Sequence, residues 1–167
     1  LKRPPHLPLQ QRKIHTPLAQ TDGAFFENKV ILVPILRAGL ALLPPFVALF
    51  PQASIGFIGI RRDEKDASPH LYYENIPDIP SNAAVFLLDP MLATGGTANL
   101  ALDHLARLGA EPAHTLLTTF LASQIGIGAL RERHPRVRII SAAIDPELDS
   151  KKFIVPGLGD FGDRYFA

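Results

Sequence analysis

Apolar runs that do not alternate constrain this chain more than any other feature. "VILVPI" (30–35), "SIGFIGI" (54–60), "AAVFLLD" (83–89), "HTLLTTFLA" (114–122) and "VRIISAAI" (137–144) each read as a strand. A strand open on one face alternates apolar with polar residues. Most of these do not, so both of their faces must be covered. Helical stretches lie between them at about 39–50, 97–108 and 123–133. Strands alternating with helices imply right-handed crossovers and an α/β fold: an open, mainly parallel sheet with helices on both faces. In the second helical stretch Ala98, Ala101, Leu102, Leu105 and Leu108 form one stripe. Asp103 and Arg107 can pair across a turn there, and Gly109 suits the C-terminal cap.

At 167 residues the chain fits a single domain, 1–167, with a sizeable core. A net charge of +1 argues against general nucleic-acid binding, because no basic excess exists to neutralise a phosphate backbone. Any anion site must therefore be local. The lack of cysteine excludes disulfides and thiolate metal sites and is compatible with a reducing cytoplasm. No apolar run approaches the roughly 18–20 residues of a membrane span. The longest candidate, "LALLPPFVALF" (40–50), is interrupted by Pro44 and Pro45. The N-terminus lacks the basic-then-apolar order of a signal peptide. A cytoplasmic protein away from membranes is the expectation.

Three segments depart from the strand–helix rhythm. Residues 1–23, with no acid before Asp22, read as an extended, basic, partly mobile arm. "RRDEKDASPHLYYENIP" (61–77) reads as a charged loop running into a short aromatic strand. The tail, "DPELDSKKFIVPGLGDFGDRYFA" (145–167), shows little periodicity. Long irregular segments in a compact domain are usually lids or binding loops.

The chemistry concentrates in "LLDPMLATGGTANLALDHLARLG" (87–109). In open α/β sheets ligands bind beyond the carboxyl ends of the strands, and Asp89 stands at such an end. The backbone N–H groups of the turn Ala93–Thr97 can surround an anion there, aided by the partial positive charge of the helix N-terminus. Thr94 and Thr97 add hydroxyl donors, and either could cap the helix. A lone TGGT also suits an ordinary strand–turn–helix junction with Asp89 as a turn former. The GxxxxGK[ST] pattern is absent, which disfavours a P-loop NTPase. Gly157–Gly162, "GLGDFG", satisfies GxGxxG, but it opens no long helix, so a dinucleotide site is rejected.

Cations complete the pattern. Arg37 lies just past the first strand with Gly39 opening the next helix, and Arg61 and Arg62 lie at the end of the second. Guanidinium groups and free backbone amides suit a pyrophosphate. Three cations and one carboxylate on one sheet edge match a phosphorylated sugar carrying a diphosphate: anion clamps around a diol-binding acid. The histidines at 6, 15, 70, 104, 114 and 134 show no metal-ligand spacing.

The segments "VPILRAGL" (33–40), "IGIRRDEKD" (58–66), "LYYENIP" (71–77), "LLDPMLATGGTA" (87–98), "AAID" (142–145) and "FIVPGLGDFGDRYF" (153–166) together resemble the uracil phosphoribosyltransferase family, a branch of the type I phosphoribosyltransferases. They span nearly everything from about Thr16 onward, in the family's order. The resemblance implies the type I phosphoribosyltransferase fold with a C-terminal hood, 145–167, over the base. It implies conversion of uracil and 5-phospho-α-D-ribose 1-diphosphate (PRPP) to UMP and diphosphate, a step of pyrimidine salvage, with Mg²⁺. PRPP would be held by Arg37, Arg62, Asp89, Pro90, Met91, Leu92, Ala93, Thr94, Gly95, Gly96, Thr97 and Asp160. Asp89 would face the ribose hydroxyls, and the turn Ala93–Thr97 the 5′-phosphate. Ile154, Gly159, Asp160 and Phe161 would form the uracil pocket, and Asp89, Arg37 and Asp160 would act in catalysis. A homodimer or dimer of dimers is expected. GTP activates some relatives, and no motif here decides that point. The family usually carries a few dozen further residues, largely helical, ahead of the segment matching Thr16–Gly23.

No residue stands out as general base for the uracil proton; Asp160 and solvent both fit. Two rival readings remain at this level. One is a non-catalytic nucleotide-binding module, against which the retained Arg37, Asp89, Thr94, Gly95, Gly96 and Asp160 argue. The other is a phosphoribosyltransferase for a different base, which "IVPGLGD" disfavours.

Overall fold

The computed structural model describes residues 9–63 and 68–167; the side chains of Leu9 and Arg62 fall outside that description. In chain order the strands and helices are β1 (Leu9–His15), β2 (Gln20–Phe26), β3 (Val30–Leu36), α1 (Leu43–Leu49), β4 (Ser54–Ile55), β5 (Phe57–Arg62) and β6 (Pro69–Asn75). There follow β7 (Ala84–Leu88), β8 (Met91–Leu92), α2 (Gly96–Arg107), β9 (Thr115–Ser123), α3 (Gln124–Arg133), β10 (Arg138–Asp145), β11 (Glu147–Leu148), β12 (Ile154–Val155) and α4 (Phe161–Phe166).

The central sheet runs β10-β9-β7-β3-β5-β6. All neighbours on that path are parallel except β6, which returns antiparallel against β5 at the edge. β4 adds to β3 and β8 to β9. This is the predicted mainly parallel sheet. The non-alternating strands follow from coverage of both faces. On β3 and β7, Ile31, Val33, Val85 and Leu87 join one core with Leu102, Leu105 and Leu130 of α2 and α3. Their neighbours Leu32, Ala84, Phe86 and Leu88 join the opposite core with Leu42, Leu43 and Phe46. Each fully buried Val, Ile or Leu contributes about 1.5–3 kcal/mol from removal of apolar surface from water. β10 departs from the others: it is an edge strand, and Ile140 and Ile144 remain about half exposed.

Several expectations are corrected. The described part of the N-terminal arm, from Leu9, is an antiparallel hairpin of β1 and β2. Its Phe26 ring meets Phe50 at 5.2 Å, and Phe50 in turn meets Phe86 at 5.1 Å, so aromatic packing pins the hairpin to the core. Residues 1–8 of that arm lie outside the described residues. The helix expected over 39–50 is broken into a 3-10 turn, Ala38–Ala41, and α1, which begins at Leu43 with proline in its first turn. Part of the charged loop is strand, because β5 extends to Arg62 and β6 begins at Pro69; residues 64–67 lie outside the described residues. Asp103 does not pair with Arg107. It takes two hydrogen bonds from Arg133 of α3, at 3.1 and 2.6 Å, while Arg107 turns to His104. A bidentate partner on the neighbouring helix outcompetes the monodentate pairing within a turn. The irregular tail is organised as a small hairpin, β11 with β12, followed by the six-residue α4.

Candidate active site

The carboxyl ends of β3, β7 and β9 meet at one edge of the sheet, as parallel pairing requires. Asp89 follows β7 there, and its backbone N–H donates to Thr118 O at 3.1 Å. The chain does not pass directly into a turn. Met91 and Leu92 first add the short β8 beside Leu121 and Ala122. This detour fixes the next residues against the sheet. Leu92 and Pro90 are buried, and Leu92 belongs to the main core.

The glycine-rich segment then opens α2. Gly95 is its N-cap at φ +83°, a conformation that a side chain disfavours. The expectation that Thr94 or Thr97 caps the helix is thereby corrected, because among the described residues no side chain caps α2. Thr94 Oγ1 instead accepts from Gly96 N at 3.4 Å, a local brace of the turn. The first turn of a helix leaves backbone N–H groups without partners inside the helix, the arrangement suited to an anion. Ser123, fully buried at the end of β9, secures this wall. Its hydroxyl donates to Ala93 O at 2.5 Å and accepts from Gly126 N at 2.9 Å, capping α3 as it does so.

Arg37 follows β3 and precedes the 3-10 turn, on the exposed rim of the site. Its guanidinium carbon lies 5.7 Å from the centroid of the Phe166 ring, so the end of the tail reaches back to the cation. Phe161 stacks on Tyr165 at 5.6 Å and meets Phe120 at 5.9 Å, which seats α4 against β9. Asp160 is the N-cap of α4, with Oδ1 accepting from Asp163 N at 2.9 Å.

These elements enclose a cavity of about 370 Å³. That size falls within the range of small-molecule sites. Its lining brings together Arg37, Asp89, Met91, Ala93, Thr97, Ile154, Gly159, Asp160 and Phe161, all singled out from sequence. Pro90, Leu92, Thr94, Gly95 and Gly96 are not among the lining residues; they build the wall from behind or from within the turn. The side chain of Arg62 lies outside the described residues. Arg61 is exposed on β5, whose Ile60 contributes to the lining. Sequence reasoning missed Lys151, Lys152 and Phe153, which the turn between β11 and β12 carries to the cavity. A pair of adjacent lysines before "FIVPGLGD" was the available signal. It was unreadable without the fold-back of the hairpin.

Comparison with known proteins agrees with this geometry. The family model for uracil phosphoribosyltransferase matches residues 3–167. The chain is 45% identical over 159 residues to a uracil phosphoribosyltransferase from Salinibacter ruber, covering 95% of this chain and 75% of the relative. Among solved structures, the AQ2163 protein from Aquifex aeolicus superposes with a TM-score of 0.86 at 34% identity, over 95% of this chain and 76% of that one. The APRTase from Giardia lamblia aligns with a TM-score of 0.53 at 16% identity over 72% of each chain, a likeness of fold alone.

Proposed function

The chain belongs to the uracil phosphoribosyltransferase family, with the type I phosphoribosyltransferase fold and the pentosyltransferase activity that converts uracil and PRPP to UMP and diphosphate; from that premise we propose how its cavity divides the work. One observation carries the proposal: Asp89, Arg37 and the α2 N-terminal turn share a single cavity with the Ile154–Phe161 segment. The first group suits an anionic sugar, and the second offers main-chain groups at close range.

In this reading Asp89 accepts hydrogen bonds from the ribose hydroxyls, and the turn Ala93–Thr97 holds the 5′-phosphate. Arg37, with Arg62 from β5, binds the diphosphate. Main-chain groups of Ile154 and Gly159 read the uracil edge, and Phe161 supplies an apolar face. The uracil nitrogen N1 attacks C1′ while the bond from C1′ to the diphosphate oxygen breaks, with positive charge building on the sugar ring. Asp89 and Asp160 place negative charge near that ring, and bound geometry aligns the reacting atoms. The uracil proton passes to Asp160 or to solvent.

Mg²⁺ belongs to this reading. Among the described residues no group of three or more His, Asp or Glu could hold a metal by itself. Among the described residues, Asp89 and Asp160 are the carboxylates lining the cavity. A donor set of one or two carboxylates fits Mg²⁺, which keeps several waters and takes its remaining ligands from substrate phosphates. Asp89 and Asp160 would hold it. When bound, the ion neutralises charge on the departing diphosphate.

Diphosphate release in the presence of PRPP and Mg²⁺ tests the activity directly. Uracil should support release, while adenine and cytosine should not. No release with any base, despite binding of PRPP, would favour a binding module instead. Cytosine presents a donor where uracil presents the O4 acceptor and an acceptor where uracil presents the N3 proton. Each buried group left unpaired costs about 1–3 kcal/mol.

The base assignment has its own prediction. Gly159 sits at φ +79°, and a Cβ there would meet nothing within 4 Å. Gly159→Ala therefore perturbs the backbone rather than colliding with a neighbour. It should raise the KM for uracil several-fold, about 1 kcal/mol of strain, while the KM for PRPP holds. Equal increases for both substrates would mean that the tail only packs the chain end.

Assembly as a homodimer or dimer of dimers, a cytoplasmic location and a response to GTP complete the proposal. Among the described residues no helix is long and apolar enough to cross a membrane. Leu49 and Val47 of α1 stand exposed beside the core. Light scattering at micromolar concentration should give at least twice the 18.2 kDa of one chain. A monomer with full activity contradicts the assembly. Adding GTP to the release assay tests the response.

A further inference from the structure

The two walls of the cavity hang from neighbouring residues of the sheet. In the β9–β10 register, Ser123 lies opposite Asp145, each the last residue of its strand. Ser123 holds the phosphate-loop wall through its 2.5 Å hydrogen bond to Ala93 O. Asp145 holds the other wall, because its Oδ2 accepts from Gly157 N at 2.9 Å. Gly157 is the pivot of that wall. It adopts φ +55°, and a Cβ placed on it would lie 1.9 Å from Ile154 O, so the main chain doubles back tightly between Ile154 and Gly159. The far end of the same hairpin is closed by a different acid: Asp149 Oδ1 accepts from Lys151 N at 2.9 Å and from Phe153 N at 2.8 Å. Asp149 thus shapes the tip, while Asp145 is the contact that ties the Ile154–Gly159 turn to the strand end.

We propose that Asp145 is a positioning residue for the transfer reaction. By anchoring Gly157 one strand away from the Ser123 anchor of Ala93, it fixes the spacing between the base and sugar-phosphate subsites. Adjacent strands are about 4.8 Å apart, and the rigid sheet transmits that spacing to the two loops. Reading a base with main-chain groups demands placement within about 0.5 Å, and a displacement of about 1 Å in a reacting geometry costs roughly 100-fold. An N–H donating to a carboxylate is a charge-assisted bond, well suited to holding such a turn. The inference rests on the reading of Ile154 and Gly159 as the uracil pocket.

Steady-state kinetics with each substrate varied in turn test it. Asp145→Ala should raise the KM for uracil about tenfold or more, with the KM for PRPP within about twofold. Asp145→Asn retains an oxygen that accepts from Gly157 N, and should restore the uracil KM to within about threefold of the unmodified chain. Should the alanine variant fail to fold, Asp145→Ser, whose hydroxyl falls short of Gly157 N, is read by the same criterion. An unchanged uracil KM, a parallel rise for both substrates, or an asparagine variant as impaired as alanine overturns the assignment. Gly159→Ala separates the two layers of the argument. If it raises the uracil KM while Asp145→Ala does not, only the role of Asp145 falls. If neither variant moves it, the uracil-pocket reading falls as well.

Discussion

Asp89→Asn is expected to lower kcat/KM for PRPP by about 100-fold while leaving the melting temperature within about 2 °C. The side chain is half-buried at the mouth of the cavity, past the end of β7, and belongs to neither apolar core. Asparagine preserves volume and one acceptor oxygen but loses the charge. A carboxylate facing two ribose hydroxyls makes charge-assisted bonds of about 1.5–3 kcal/mol, larger than neutral ones. Its charge also opposes the positive charge that grows on the ring as diphosphate departs. The amide weakens the first contribution and lacks the second, which acts only in the transition state. The loss should therefore appear in kcat as well as in KM. If instead activity and melting temperature fall in proportion, Asp89 is a turn former at the strand end.

What could be read from sequence, and what could not, divides along the range of the interactions involved. The strands over 30–36, 84–88 and 115–123 were legible because burial on both faces writes itself into unbroken apolar runs. α2 and its Gly109 end were legible because helical period and glycine at a positive φ, +99° here, are local signals. The placement of Asp89 and the glycine-rich turn at one sheet edge followed from parallel topology. The N-terminal hairpin was hidden because β1 and β2 are largely exposed and polar, and the ladder between them, in which Lys13 also meets Asp22 at 2.7 Å, leaves no apolar pattern in the sequence. Asp103 found Arg133 rather than Arg107 for a similar reason: the α2–α3 contact exists only once the sheet has formed. Lys151 and Lys152 reach the cavity only because the β11–β12 hairpin folds the tail over it. Local pattern fixes which residues are strand or helix. Long-range packing decides which charged groups share solvent with a ligand.

Arg37→Ala is expected to weaken PRPP binding by roughly 2–5 kcal/mol, provided that the guanidinium is desolvated against the diphosphate in the complex. The free protein already prepares that contact. Arg37 leaves the end of β3 beside the cavity, and the Phe166 ring lies 5.7 Å from its guanidinium carbon. An exposed cation–π contact is worth only about 0.5–1 kcal/mol, so its main use is to limit where the side chain points. Two further substitutions separate charge from orientation. Arg37→Lys keeps the positive charge but loses the planar fork that grips two phosphate oxygens, and should recover only part of the binding. Phe166→Ala keeps the fork but removes the ring beneath it, and should raise the KM for PRPP only several-fold, in line with about 1 kcal/mol. Raising the ionic strength should weaken binding to the unmodified chain more than to Arg37→Ala, because the variant has lost one of the charges being screened. Isothermal titration with PRPP and Mg²⁺ reads the binding changes on one scale, and steady-state kinetics reads the KM. A KM and binding constant unchanged in Arg37→Ala would remove this residue from the diphosphate site and shift the role to Lys151 and Lys152, the other cations lining the cavity among the described residues.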